Sequence, residues 1–448
     1  MSEQSAMASS ESHRGGFGDL GGEERGFIDR SFREKIILVG LDMGTSSDLS
    51  IAAQMSELER LVSTAGADVV HHVVQKRESP DPATFIGRGK VREIFELAEE
   101  YDADTIVFND ELSPAQQNNL EKAFKRSAID RTAVILDIFA QNASTPEGKA
   151  QVELAQLQYL LPRLRGRGVA LSQQAGGIGT RGPGETKLEV DRRRLVRKVH
   201  NLQKQLSGIR STRENQSKRR RRSVNQSVAI VGYTNAGKSS LLNCLTRSDD
   251  DALVADRLFA TLDPVTRALQ LPGGEKIFVS DTVGFVRNLP HHLVEAFKTT
   301  LDVVTEADLL IHVVDGSNLN AQKDIAAVRK VLDEIGVTAD LPELIVFNKV
   351  DISGSEPASF DYPNAVQISA KTGEGVEKMM SKLSDMLRSN LDVYELAIPL
   401  TRGDLIAQVH REAQVLIEDV QGDTLIMRAR LDGYAQARLG GLIKKETE

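Results

Sequence analysis

The 448-residue chain contains a single cysteine, which rules out an internal disulfide framework and points to a reducing, cytoplasmic setting. That residue, Cys244, lies in the apolar stretch SSLLNCLTR and reads as a small core hydrophobe, not a nucleophile. No run of eighteen apolar residues occurs, so no transmembrane helix and no integral membrane association are expected. The first residues, MSEQSAMASSESHRGGFGDLGGEERG, have neither the basic start nor the apolar centre of a secretory signal. Residues 1–33 are therefore expected to form a disordered tail without a targeting role. A net charge of -8 argues against indiscriminate nucleic-acid binding by the whole surface, and DNA is not an expected partner. Internal repeats are also missing. What remains is ordinary globular composition, 40% hydrophobic and 27% charged, in a chain long enough for about three domains.

Residues 34–149 alternate strand-length apolar runs with helical spacing. KIILVGL, DVVHHVVQ, DTIVFND and TAVILDIFA read as four strands, and Ser113 with Pro114 opens one of the helices between them. Such alternation implies a parallel sheet covered on both faces. The period changes in residues 150–223. Ala150, Leu154, Leu157, Leu161 and Leu164 form one apolar seam, and Leu195, Val199, Leu202, Leu206 and Ile209 form another. Two seams of coiled-coil period bury each other, which predicts a helical hairpin. RGRGVALSQQAGGIGTRGPGETK, between them, is too rich in glycine for a helix and reads as a long loop at the tip; STRENQSKRRRRSVNQ reads as a linker. Residues 224–391 alternate strand and helix again, and residues 392–448 read as strand, helix and hairpin.

The second alternating segment holds the chemistry. Strand SVAIVG leads into Gly232, Tyr233, Thr234, Asn235, Ala236, Gly237 and Lys238, with Ser239 and Ser240 opening a helix, and this fits G-x-x-x-x-G-K-[ST]. Backbone amides of such a loop wrap a phosphate, Lys238 reaches the β and γ oxygens, and Ser239 ligates Mg²⁺. NKVD after an apolar strand supplies Asn348, Lys349 and Asp351. A carboxylate there accepts two hydrogen bonds from guanine and would be left unpaired by adenine, which selects GTP and GDP. Ser369, Ala370 and Lys371 follow as the loop that offers an amide to guanine O6. Between these motifs, DTVGF places Asp281 as an acid near Mg²⁺ and Gly284 as the amide that senses the γ-phosphate. FATLDPVTR offers Thr261 or Thr266 as a switch threonine over the metal; Thr261 is preferred because Thr266 leads directly into a strand. Lys238, Thr261 and Gly284 are thus the catalytic candidates, and Ser239, Thr261 and Asp281 the metal candidates. Phe285 stands where many GTPases place a water-orienting glutamine, so hydrolysis is expected to be slow without help. Asn235 has two readings, a plain cap of the loop or a K⁺ ligand resembling that of cation-dependent GTPases. The expected fold is α/β and multidomain: an N-terminal parallel-sheet domain with its helical hairpin, a P-loop G-domain and a small α+β C-terminal domain.

Charge is concentrated elsewhere. From Asp191 to Arg222 thirteen Lys and Arg stand against Asp191 and Glu214, a net of +11 in an acidic chain. Arg192, Arg193, Arg194, Arg197 and Lys187, with Arg165, Arg167 and Arg181 near the glycine-rich tip, are RNA-binding candidates. A solvated helix face is the plainer reading of such a run. Few aromatics lie nearby, which favours folded RNA read through its phosphates over stacked single strands.

GRGKVREI, FNDELSPAQQNNLEKAF, DRTAVILDIFA, EGKAQVELAQLQYLLPRL and above all GGIGTRGPGETKLEVDRRR, with FATLDPVTR and DTVGFVRNLPHHLVEAF, resemble the HflX family of translation-associated GTPases. The resemblance covers about residues 34–400; the N-terminal tail lies outside it. It implies a GTPase, acting as a monomer, that binds the rRNA of the large ribosomal subunit and splits or rescues stalled and hibernating ribosomes, often under stress. The glycine-rich tip, Arg165 to Lys187, would probe RNA near the peptidyl-transferase region. Two other readings stay open: an assembly or RNA-remodelling GTPase, and a signalling switch whose basic helix binds acidic lipid or protein.

Overall fold

The computed structural model describes residues 27–28, 33–44, 50–164, 183–220, 226–246, 258–259, 261–272, 276–287, 293, 298–318, 320–338, 340–352, 362–389, 391, 393–431 and 433–447. The chain forms two compact units. The first combines Met1–Ser207 with Asp256–Asp263 and Asn288–Phe297; the second combines Gly208–Ala255, Pro264–Arg287 and Lys298–Glu448.

In the first unit β1 (Lys35–Asp42), β2 (Asp68–Lys76), β3 (Thr105–Phe108) and β4 (Ser127–Asp130) form a parallel sheet in the order β2-β1-β3-β4. β1 is buried at six consecutive positions, as a strand covered on both faces must be. Helices α1 (Ile51–Ala65), α2 (Arg88–Glu100), α3 (Pro114–Phe124) and α4 (Arg131–Asn142) alternate with the strands. Ile37, Val39, Ile106, Phe108, Leu120 and Phe124 belong to one core cluster. TAVILDIFA is not a strand. It is the body of α4, and the strand is the preceding SAID. All nine residues from Arg131 to Phe139 are buried, so the run has no polar face and no helical period to reveal it.

The hairpin is built from α5 (Pro146–Arg163) and α6 (Pro183–Arg220). Ala150, Leu154, Leu157 and Leu202 form its buried seam, with Leu195, Val199 and Leu206 packed against them. Two boundaries differ from expectation. α6 is continuous to Arg220, into the segment read as a linker, because Lys, Arg and Gln are good helix formers. It also begins at Pro183, so Pro183–Lys187 of the glycine-rich stretch is helical, with proline at the position that lacks an amide partner anyway. The tail expected to be disordered to residue 33 carries an anchor: the amides of Phe27 and Ile28 donate to Asp137 at 2.7 and 2.6 Å, and Ile28 is buried.

The second unit contains a six-stranded sheet in the order β10-β9-β8-β5-β7-β6, from β5 (Ser227–Gly232), β6 (Val265–Gln270), β7 (Lys276–Asp281), β8 (Leu309–Asp315), β9 (Glu343–Asn348) and β10 (Ala365–Gln367). Only the β6–β7 pair is antiparallel. Helices α7 (Lys238–Thr246), α8 (Lys298–Thr305), α9 (Ala321–Glu334) and α10 (Val376–Ser389) accompany it. A separate antiparallel sheet, β12-β13-β11-β14, uses β11 (Val393–Pro399), β12 (Gln414–Gln421), β13 (Thr424–Arg430) and β14 (Ile443–Thr447), with α11 (Gly403–Glu412) and α12 (Gly433–Leu439). It has its own core around Leu396, Ile398 and Met427. Among the described residues, no helix is long and apolar enough to cross a membrane.

Candidate functional site

The carboxyl end of β5, a central strand, delivers the chain into the loop Gly232–Gly237. Gly232 has φ 150°, and a Cβ there would strike the Val313 carbonyl on β8; Gly237 has φ 95°, and a Cβ there would strike the Asn348 amide. Both glycines are required by space as well as by backbone angle. Asn235 also has a positive φ, 61°, and its side chain is exposed. Asparagine tolerates this region better than most residues do. Lys238 begins α7 and folds back, its Nζ donating to the Gly232 and Tyr233 carbonyls at 3.1 and 2.9 Å. Burial pulls its pKa down to about 8 against the opposing pull of Asp281. The buried ammonium thus sits in the loop's own cradle, where a phosphate would replace the carbonyls as its partner.

Ser239, the next residue, donates its hydroxyl to Asp281 Oδ2 at 2.6 Å. A hydroxyl and a carboxylate held together beside the phosphate loop are the hard oxygens that a small divalent cation such as Mg²⁺ takes as ligands. Beyond Asp281, the backbone of DTVGF lies along the loop. Thr234 N–H donates to the Phe285 carbonyl at 2.8 Å, and Phe285 N–H donates to the Gly232 carbonyl at 3.1 Å. Gly284 is thereby held so close that a Cβ there would lie 2.7 Å from Thr234 Cγ2 and 3.0 Å from Lys238 Nζ. Phe285 is 1% exposed, so its ring is core and offers no polar atom to water. Sequence reasoning missed the next brace: Arg287 N–H donates to the Tyr233 hydroxyl at 2.9 Å, and the Arg287 guanidinium pairs with Asp324 on α9 at 2.5 Å.

NKVD and the stretch Ser369–Lys371 converge on the same loop. Asn348, at the end of β9, donates Nδ2–H to the Ala236 carbonyl and accepts from Ala370 N–H, both at 2.9 Å. One side chain therefore ties the phosphate loop to Ser369–Lys371. Ser369 donates to Asp351 Oδ1 at 2.7 Å, a bond that holds the Asp351 carboxyl below its usual range. Lys349 has φ 68° and pairs with Asp315 at 2.7 Å. The pairing aligns a partly exposed stem beside the carboxylate that faces solvent. Ser240 follows Ser239 in α7, half-buried, and Lys371 is exposed.

Thr266 belongs to β6 and shares a hydrogen bond with Ser280 at 2.7 Å. Thr261 lies instead in the segment Asp256–Asp263, which packs with the first unit. The structure thus brings Ser239 and Asp281 together, and Thr261 belongs to the other unit. Of the RNA-binding candidates, Arg192, Arg193, Arg194 and Arg197 are exposed along α6. Lys187 lies in the helix with its side chain outside the described residues, as are Arg165, Arg167 and Arg181 altogether.

Three family models match the chain: "GTP-binding GTPase N-terminal" over residues 52–140, "GTP-binding GTPase Middle Region" over 142–220 and "50S ribosome-binding GTPase" over 227–349. The GTPase HflX of Lacrimispora saccharolytica is 45% identical over 89% of this chain and 94% of its own length. Those of Alkalihalophilus pseudofirmus and Escherichia coli K12 are 43% and 40% identical, covering 85% and 84% of this chain and 89% and 88% of theirs. The chain belongs to the HflX family of GTPases. As an HflX-family member it binds guanine nucleotide and is a hydrolase acting on GTP, and its fold is the α/β arrangement expected.

Proposed function

We propose that this GTPase works on the large ribosomal subunit, splitting or rescuing stalled and hibernating ribosomes, with GTP hydrolysis driving its release. The observation that carries the reading is the row of exposed arginines, Arg192, Arg193, Arg194 and Arg197, on a helix that runs unbroken to Arg220, shortly before β5 and the phosphate loop. Guanidinium groups spaced along a helix suit the phosphates of folded RNA. The description of the family model over residues 227–349 supports the same partner.

At the nucleotide site, the loop amides from Asn235 to Ser239 would wrap the phosphates and Lys238 would exchange two carbonyls for their oxygens. Asp351 would accept from guanine while the Ala370 amide meets its oxygen. Ser239, Asp281 and Thr261 would hold Mg²⁺, which supplies charge neutralisation at the transferring phosphate. Asn235 would either add a K⁺ ligand or serve only as a cap of the loop. Because Phe285 cannot orient the attacking water, the slow intrinsic rate would be raised by the ribosome. The compartment this implies is the cytoplasm. Among the described residues, the two valines exposed beside the arginines, Val190 and Val196, stand singly and give no apolar stripe for a membrane.

Cosedimentation with purified large subunits tests the reading. Pelleting in a non-hydrolysable GTP analogue should exceed pelleting in GDP and fall steeply with salt, by roughly 0.7–0.9 log units in affinity per log unit of salt for each phosphate contact. Changing the four arginines to alanine should flatten that slope. Equal pelleting in both nucleotides would refute the proposal.

A further inference from the structure

Asp263 is a carboxylate of the nucleotide-binding half of the sequence, yet it is bonded into the first unit. Its Oδ2 accepts from Ser144 N–H at 2.9 Å, Ser144 Oγ–H at 2.8 Å and Thr145 N–H at 2.9 Å, and its Oδ1 accepts from Thr145 Oγ1–H at 2.5 Å. Thr145 is the N-cap of α5, its hydroxyl oxygen also accepting from Gly148 N–H at 3.0 Å. The carboxylate therefore completes the cap of the first hairpin helix, at the end where the helix dipole favours a negative charge. Burial alone would raise its pKa, but the four bonds outweigh burial and hold the group ionised below the usual carboxylate range.

The fit is specific. A Cβ on Gly148 would collide with Asp263 Oδ1 and lie 3.1 Å from its Cγ, so the first turn of α5 tolerates the carboxylate only because residue 148 is glycine. Glycine is otherwise a poor choice inside a helix.

A second anchor lies four residues earlier. Phe259 is 2% exposed, meets Phe139 of α4 edge-on at 4.7 Å, and receives a hydrogen bond on its carbonyl from Asn142 Nδ2 at 2.6 Å. Its φ of 58° is one that aromatic residues rarely adopt, and the buried ring and carbonyl bond hold it there. Thr261 stands midway between the two anchors. Directly after Asp263 the chain continues through Pro264 into β6, which pairs with β7 and begins opposite Asp281.

We propose that Asp263 is the positioning residue for Thr261: with Phe259 it fastens the switch segment to the N-terminus of α5, so that closure of Thr261 over the nucleotide and the set of the hairpin are coupled. The inference rests on the reading of Thr261 as the switch threonine. Closure draws against both anchors, and whatever loosens them favours the closed form. The shift passes along α5, whose Leu154 and Leu157 meet Leu202 in the hairpin seam. A ligand can move such an equilibrium only by its differential affinity for the two arrangements.

The test uses the full-length chain. Affinities for fluorescent GDP and a fluorescent non-hydrolysable GTP analogue are measured for wild type, Asp263→Ala, Gly148→Ala and Thr261→Ala, with amide exchange over residues 146–157 in each nucleotide. Gly148→Ala introduces a helix-favouring residue in α5, so it reports even if Asp263→Ala folds poorly. The expected result is a GTP-analogue preference over GDP raised on the order of fivefold in both Asp263→Ala and Gly148→Ala. The nucleotide-dependent exchange difference at 146–157, present in wild type, should vanish in both, and Thr261→Ala should lower the preference. If Thr261→Ala lowers it while Asp263→Ala and Gly148→Ala retain wild-type preference and exchange difference, the coupling is wrong and the reading of Thr261 stands. If Thr261→Ala changes nothing, that reading fails and the coupling fails with it.

Discussion

The parallel sheet of the first unit and the mostly parallel sheet of the second have similar architecture and opposite endings. In the first unit, the carboxyl end of β4 is Asp130, fully buried, which accepts from Leu112 N–H, Ala133 N–H, the Tyr159 hydroxyl and Arg163. Burial raises its carboxyl pKa, opposed by Arg163 and these hydrogen bonds. Arg131, next to it, pairs with Glu57 at 2.7 Å. Side chains consume that edge; Asp110, with a buried Oδ2 lacking a hydrogen bond, is an exception. In the second unit, the carboxyl end of β5 is Gly232, and α7 follows Gly237, which has no side chain with which to cap it. The same contrast holds at the helix starts. Ser50, Ser113, Asp130 and Thr145 cap α1, α3, α4 and α5 with their own oxygens, whereas α2 opens on Gly87. A sheet becomes a phosphate site where its backbone amides are left to a ligand, and the fold alone does not decide this.

Carboxylates at the two edges should therefore fail differently. Asp351→Asn changes the hydrogen-bonding pattern offered to the base and should exchange guanine for xanthine preference, with up to about 10⁴-fold loss of discrimination. Competition binding with GTP and XTP measures this; GTP affinity retained in the variant would contradict the assignment. Asp130→Ala should leave nucleotide affinity alone and remove about 3–5 kcal/mol of stability, because Arg163 loses a buried partner. Urea unfolding measures it, and a loss below about 1 kcal/mol would show that the first edge is not held as described. Lys238→Ala reverses that outcome: affinity for GTP and GDP should drop about 10- to 100-fold, as for loss of a charge-assisted contact, with unfolding nearly unchanged. A variant that instead unfolds would make Lys238 structural and erase the contrast.

The sequence made the second edge easier to read than the first. Gly232, Gly237, Lys238, Asn348 and Ala370 announce themselves because their chemistry needs fixed residue types at short spacing, and few other types fit the space. Asp130, Arg163 and Tyr159 use ordinary residues at long separation, and nothing local marks them as partners. TAVILDIFA reads as a strand because α4 is buried on every side, and periodicity vanishes when no face is polar. Asp263 escaped notice for the same reason as Asp130: its partners lie 118 and 119 positions away. Gly148 was the one local sign, a glycine in the first turn of a helix that otherwise favours helix formers.

The smallest effect separates the two edges most finely, since it concerns single helix caps. Ser113 Oγ accepts from Gln116 N–H at 3.2 Å, and Gln116 Oε1 accepts from Ser113 N–H at 3.0 Å, so each orphan amide is satisfied by the other residue's side chain. Ser113→Ala should cost about 1 kcal/mol, while Ser113→Gly should cost only a few tenths, because glycine leaves the amide open to water. The mirror experiment, Gly237→Ser, offers α7 the cap it lacks. Cap logic alone would make it stabilising, but φ is 95° and a Cβ would strike Asn348, the residue that ties the phosphate loop to the base loop. Gly237→Ser should therefore lose nucleotide binding. If it binds GTP normally and gains stability, then α7 has no need of an open start, and the distinction between the two edges collapses at the point where it was drawn.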